Sequence, residues 1–133
     1  MIPIDEPDWF EEDVVSAIHS RQLAEHGGIS GSRDEGMLKS ALARPKQLWA
    51  YADPNLFDLV AAYAFSLARN PPFLDGNKRI AAVVCETLLD LYGYEINLGQ
   101  AEKYVQYSTL AAGEISEESF AAWLREHCEK MNY

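Results

Sequence analysis

Apolar residues recur along this chain at three- and four-residue spacing and almost nowhere in strict alternation, which is the pattern of helices rather than strands. A first helix follows Pro7. Glu11, Glu12 and Asp13 suit its first turn by charge–dipole complementarity, and Phe10, Val14, Ala17 and Ile18 share one face. Gly27-Gly28 stops it, because glycine takes a left-handed cap without steric penalty. After a loop over 28–33, a short second helix starts at Asp34 with the stripe Met37, Leu38, Ala41 and Leu42 and ends near Arg44-Pro45. A connecting segment over 46–55 leads into a third helix, Leu56 to Arg69, in which Leu56, Val60, Tyr63 and Leu67 recur in register. Pro71-Pro72 ends that helix. The fourth, Asn77 to Tyr92, has the widest apolar stripe (Ile80, Val83, Val84, Thr87, Leu88, Leu91) and is expected at the centre of the bundle. Gly93 caps it, Tyr94 to Leu98 is extended, and helices over Gln100 to Ala112 and Ser116 to Met131 close the chain. The expected fold class is all-α, a single domain of about six helices spanning residues 1–133.

Composition agrees with that picture. Of 133 residues, 48% are hydrophobic and 24% charged, enough to bury one sizeable core. No apolar run is long enough to span a bilayer, and the N-terminus carries Asp5, Glu6 and Asp8 instead of a signal peptide, so the expected compartment is the cytoplasm. A net charge of −10 repels nucleic acid and anionic membrane as polymeric partners, while it favours a basic partner segment. Cys85 and Cys128 fall inside helical patterns and read as buried, reduced thiols. His19, His26 and His127 form no zinc motif, and His26 reads as a helix-end residue.

The informative stretch is Asn70-Pro71-Pro72-Phe73-Leu74-Asp75-Gly76-Asn77-Lys78-Arg79, where one helix stops, a tight loop turns, and another helix begins. Free amides and the positive dipole end make a helix N-terminus a natural anion site. Gly76 lets a phosphate approach the backbone, Lys78 and Arg79 add two cations, and Asp75 is placed to recruit magnesium. Phe73 is expected to plug into the core and fix the loop.

This segment resembles the Fic motif, His-Pro-Phe-x-Asp/Glu-Gly-Asn-Gly/Lys-Arg, at Pro72, Phe73, Asp75, Gly76, Asn77, Lys78 and Arg79. The resemblance to the death-on-curing branch of that family covers nearly the whole chain. It includes His26-Gly27-Gly28, Arg33 to Leu38, Ser40 to Pro45, Leu67 to Asn70, Leu91 to Tyr94 and Ala121 to Leu124. It implies a Fic-like helical fold and transfer of phosphate or nucleotide from magnesium-ATP onto a protein. Asp75 would be the metal ligand, Gly76 and Asn77 the phosphate cradle, and Lys78 and Arg79 the phosphate cations, with Asp75 and Arg79 serving catalysis. It also implies a toxin that modifies elongation factor Tu and is restrained in trans by a cognate antitoxin. The antitoxin's C-terminal segment is expected to fold on the toxin, in keeping with the acidic surface. The inhibitory Ser/Thr-x-x-x-Glu-Gly/Asn spacing carried by some Fic proteins is absent around Ser30 to Gly36.

Two departures from the pattern matter. AMP-transferring Fic proteins carry a second arginine three residues after the first, where this chain has Ala82; with Lys78, that favours kinase-like transfer over AMP transfer. The position of the family's base histidine holds Pro71, which has no titratable group. Loss of a general base typically lowers the rate by about two to four powers of ten, so this chain is expected to be inactive. Both a pseudo-enzyme that only binds nucleotide or antitoxin and a toxin inactivated by a single-base change fit. The otherwise intact motif favours the second. A purely structural helical domain, by contrast, predicts no stabilisation by magnesium-ATP. The family's target-docking flap is expected over Lys46 to Tyr51, with Trp49 and Tyr51 either docking a peptide or packing the connector. Arg33-Asp34 reads as an ion pair or helix cap, and Trp123 and Leu124 as core.

Overall fold

The computed structural model describes residues 4–31, 35–70 and 72–131. The expectations placed on Arg33, Asp34 and Pro71 lie outside the described residues. Among the described residues, six helices and one small two-stranded sheet follow in the order α1 (Glu12–His26), α2 (Glu35–Tyr51), α3 (Leu56–Arg69), α4 (Asn77–Leu91), β1 (Tyr94–Ile96), α5 (Gln100–Ala111), α6 (Glu117–His127) and β2 (Cys128–Lys130). The fold is all-α. No helix among the described residues is long and apolar enough to cross a membrane.

The central helix is α3, not α4. Eleven of the fourteen residues of α3 are buried, and it packs against α2, α4, α5 and α6. A helix apolar on every side has no face to give to water, and Ala61, Ala62, Ala64 and Ala68 let its neighbours approach closely. Its start is a capping box: Asn55 Oδ1 accepts from the Asp58 amide at 3.0 Å, and Asp58 Oδ2 accepts from the Asn55 amide at 3.2 Å. In α4 the inward face is Ile80, Ala81, Val84, Cys85, Leu88 and Leu89, whereas Thr87 and Leu91 point to solvent. The wide stripe expected on α4 is therefore only half used: Ile80, Val84 and Leu88 are buried and Val83 is half-buried.

The face expected on α1 is borne out at Phe10 and Ile18, which pack against the core, but not at its other two positions. Val15 and His19 face inward, while Val14 and Ala17 are exposed. The buried face is built on a polar residue that apolar periodicity passes over. Helix α2 runs through Pro45 to Tyr51 instead of ending there. Pro45 is fully buried in the same stripe as Leu38, Ala41 and Leu42, and packing on α3 offsets the lost hydrogen bond, about 3 kcal/mol in an ordinary helix interior. Lys46 to Tyr51 is thus the last turn and a half of a helix. Trp49 packs edge-on against Trp9, with ring centroids 6.3 Å apart, and Tyr51 is 89% exposed.

The last helix is shorter than its pattern. Ser116 caps α6 by accepting from the Ser119 amide, but α6 stops at His127, and Cys128–Lys130 pairs antiparallel with β1 in the register Ile96↔Cys128. The Asn97 amide bonds to His127 O and the Met131 amide to Gly93 O, so the ladder satisfies backbone groups that a continued helix would have left at a frayed end. Cys128 is consequently a half-buried strand residue. Cys85 is a fully buried thiol, as expected, and Leu124 belongs to the core with Trp123 packed against it. An ion-paired tie, Arg44 to Glu117 at 2.9 Å, joins α2 to α6.

Candidate functional site

The motif loop joins the two helices of the most intimate pair in the fold, α3 and α4. Helix α3 ends with the Asn70 amide bonded to Ser66 O. Pro72 and Phe73 are buried, and Phe73 plugs into the core as its place in the motif implies. Asn77, the first residue of α4, reaches back over the loop: its Nδ2 donates to Phe73 O at 2.9 Å, and its Oδ1 accepts from the Phe73 amide at 3.0 Å. This two-bond clasp closes the loop into a ring. The side chain of Asn77 is therefore occupied with holding the loop, and what it can offer a ligand is its backbone amide.

Gly76 is the N-cap of α4 and takes φ 82°, a left-handed conformation in which a side chain is strained even though space for a Cβ exists. Its amide donates to Asp75 Oδ1 at 2.8 Å, and Asp75 Oδ2 accepts from the Ile29 amide at 3.2 Å. The segment after α1 lies beside the motif loop: the Leu74 amide also bonds to Gly31 O at 3.0 Å. Gly28 suits the place by its φ of 130°, and a Cβ would also lie 2.8 Å from Leu23 Cδ2 and 2.9 Å from Asp75 Oδ2.

Beyond Gly76, the amides of Asn77, Lys78 and Arg79 form the first turn of α4, where no helical carbonyl is available to accept them. Lys78 and Arg79 are exposed, and among the described residues neither pairs with a carboxylate. The Lys78 ammonium sits 5.1 Å from the centre of the Tyr104 ring. These groups open onto a cleft of about 710 Å³ whose far wall is α5. That size is in the range of small-molecule sites. All of Asp75, Gly76, Asn77, Lys78 and Arg79 line it, so five of the sequence-predicted site residues converge; Pro71 lies outside the described residues.

Sequence reasoning missed part of the cleft wall. Lys103 Nζ lies 2.7 Å from Glu86 Oε1, and the Tyr107 hydroxyl donates to Glu86 Oε2 at 3.0 Å. Burial pushes the Tyr107 phenol and the neighbouring Cys85 thiol up, which keeps both neutral. The i, i+4 spacing of Lys103 and Tyr107 on α5 was the available signal, but only the packing of α5 on α4 supplies Glu86. His19 was also missed. Val15 four residues before it was the only hint that it faces inward. His26 stands exposed at the end of α1, 3.9 Å from Glu25, as a helix-end residue.

The residues fit a magnesium–phosphate ligand. Each Asp75 oxygen accepts one amide and retains a lone pair toward an ion, and magnesium is usually held by one or two carboxylates, waters and the substrate's own phosphates. Among the described residues no cluster of three or more His, Cys, Asp or Glu side chains could cage a metal without such help.

Comparison with known proteins places this site in context. The model of the Fic/DOC family matches residues 9–89, which carry α1 to α3, the motif loop and most of α4. A protein of Mycolicibacterium smegmatis named Toxin Doc is 42% identical over 72 residues, and the matched stretch spans about half of each chain, 53% of this one and 55% of the relative. Protein kinase doc of Escherichia phage P1 is 32% identical over 111 residues, covering 82% of this chain and 86% of that protein.

Proposed function

This chain belongs to the Fic/DOC family, and on that premise we propose that it is the toxin of a toxin–antitoxin pair, a kinase-like phosphotransferase whose base position is filled by Pro71. The observation that carries the reading is the convergence of Asp75, the first turn of α4, Lys78 and Arg79 at the mouth of one cleft. In this reading the first turn of α4 would hold the phosphates of magnesium-ATP and Asp75 would hold the magnesium, which would supply charge neutralisation. The Asn77, Lys78 and Arg79 amides and the two cations bind and polarise the transferred group, and Arg79, as a rigid fork of donors, holds the charge that develops on it. The Asn77 clasp and the Asp75–Ile29 bond keep the loop from yielding as the phosphate arrives. Elongation factor Tu is the proposed target, and the target hydroxyl that would attack the terminal phosphate finds no base at residue 71. A separately encoded antitoxin with a basic segment is the proposed partner, matched to the net charge of −10.

Binding without turnover is the second reading, and Pro71 itself favours it, because proline can neither accept nor deliver a proton. One experiment separates the two. This chain and its Pro71→His variant are incubated with magnesium-ATP and purified elongation factor Tu, and the factor is weighed by intact-mass spectrometry. A phosphate-sized gain with the histidine variant alone is the expected result. An AMP-sized gain overturns the choice of kinase-like transfer, and no gain with either protein moves the assignment to a binding-only protein.

A further inference from the structure

His19 is a buried polar group beside the motif loop, yet it belongs to another helix. It is 4% exposed, lies flat on Phe73 with ring centroids 3.7 Å apart and an interplanar angle of 7°, and places Nε2 2.8 Å from the carbonyl oxygen of Asp75. A carbonyl only accepts, so Nε2 carries the proton and donates. We propose that His19 is a positioning residue for the anion site: by holding the Asp75 carbonyl inward, it fixes the Asp75–Gly76 peptide plane and with it the direction of the Asp75 carboxylate.

The geometry follows from the planarity of the peptide. In a trans peptide the carbonyl and the next amide point opposite ways, so a carbonyl turned toward α1 turns the Gly76 amide away from it. That amide is the one bonded to Asp75 Oδ1. Gly76, at φ 82°, is the least restrained kind of residue at this point, and lacking a side chain it offers no steric resistance to a flip of the plane. A flip would break the His19 bond and the Gly76–Asp75 bond together, swing the carboxylate off the Ile29 amide, and turn a carbonyl oxygen toward the place where phosphate is to sit. The stack on Phe73 supplies the other restraint, since Phe73 is the residue that the Asn77 clasp grips from the opposite end of the loop. One imidazole thus contacts the loop at two points, an edge and a face, and couples α1 to the N-terminus of α4.

The effect on phosphate binding rests on the nucleotide-binding reading, whereas the effect on loop geometry does not, and the test keeps them apart. The full chain, with His19→Phe (ring without donor) and His19→Gln (donor without ring), is studied in two ways. Amide exchange at Gly76 is followed by NMR without nucleotide, and magnesium-ATP is titrated by calorimetry. The phenylalanine variant is expected to speed Gly76 exchange and to weaken magnesium-ATP about tenfold, the worth of one net hydrogen bond, with glutamine restoring both toward the parent. Parent-like Gly76 exchange in the phenylalanine variant overturns the proposal, as does a glutamine variant that restores nothing while keeping the parent's thermal midpoint. If magnesium-ATP binds neither the parent nor its variants, the nucleotide reading falls, and Gly76 exchange alone decides the role of His19. Should the phenylalanine variant fail to fold, His19→Met, close in shape to glutamine and lacking the donor, replaces it in the same comparison.

Discussion

At the scale of single residues, the motif loop is held by side chains whose types suit one role and whose contacts assign them another. Asn77 sits where the motif places a phosphate-binding residue, but both ends of its amide are bonded to Phe73. Removing it in Asn77→Ala leaves the Phe73 amide and carbonyl without partners in a half-buried loop. The expected cost is about 1–3 kcal/mol, read from urea denaturation, a range set by unsatisfied backbone groups. An unchanged midpoint would mean that Phe73 is held by core packing alone. Asp75 and Gly76 are legible in the sequence as an acid and a conformationally free residue beside an anion site. The bonds from Ile29 and His19 are not, because their partners stand 46 and 56 residues away.

At the scale of elements, the departures share a cause: local rules about where a helix stops or which way it faces yield to what packs against it. In α2 the apolar stripe continues from Leu42 through Pro45 to Leu48 and Trp49, so the periodicity for a longer helix is present in the sequence, and only the proline rule argues for a stop. Burial of the Pro45 ring decides the matter. In α3 local and tertiary signals agree from Leu56 to Arg69. Its N-terminal capping box makes a direct prediction: Asn55→Ala should destabilise the protein by about 1 kcal/mol, measured by urea denaturation. A variant with the parent's midpoint would show that packing from four helices holds the start of α3 without its cap. The β1–β2 pair is the reverse case: the alternation over Tyr94 to Leu98 announces β1, whereas Cys128–Lys130 reads as helix and is a strand only because the two chain segments meet.

For the whole molecule, the buried thiols and phenols set an alkaline limit. Burial raises Cys85, Tyr107 and Tyr63 and pushes Cys128 up to about 12, against ordinary values of 9.0 for the thiols and 10.0 for the phenols. A raised acid holds its proton in the folded state and releases it on unfolding. Its contribution to stability is therefore complete below the ordinary value and is lost as pH rises from there toward the folded one. The thermal midpoint is expected to be steady from neutral pH to about pH 9 and to fall steeply between about pH 9 and 12. Calorimetry across that window checks it; a flat profile would show that these groups reach water without unfolding. At neutral pH the same molecule is strongly acidic outside while its cleft keeps Lys78 and Arg79 unpaired by any carboxylate among the described residues. A small phosphate ligand can settle where a nucleic-acid polymer is repelled.

Helical class, the span of α3, the position of the motif loop and the gathering of Asp75, Gly76, Lys78 and Arg79 at one helix start were all determined by the sequence alone. Each depends on residues close together along the chain: spacing, a proline pair, a glycine, neighbouring charges. Tertiary structure decided the rest, namely that α3 is the centre, that α2 continues past Pro45, that the segment after α1 lies against the loop, that Lys103 meets Glu86, and that His19 orients the Asp75–Gly76 peptide. Those outcomes depend on which surfaces meet, and a hydrogen bond between residues dozens of positions apart leaves no periodic mark on the chain that carries it.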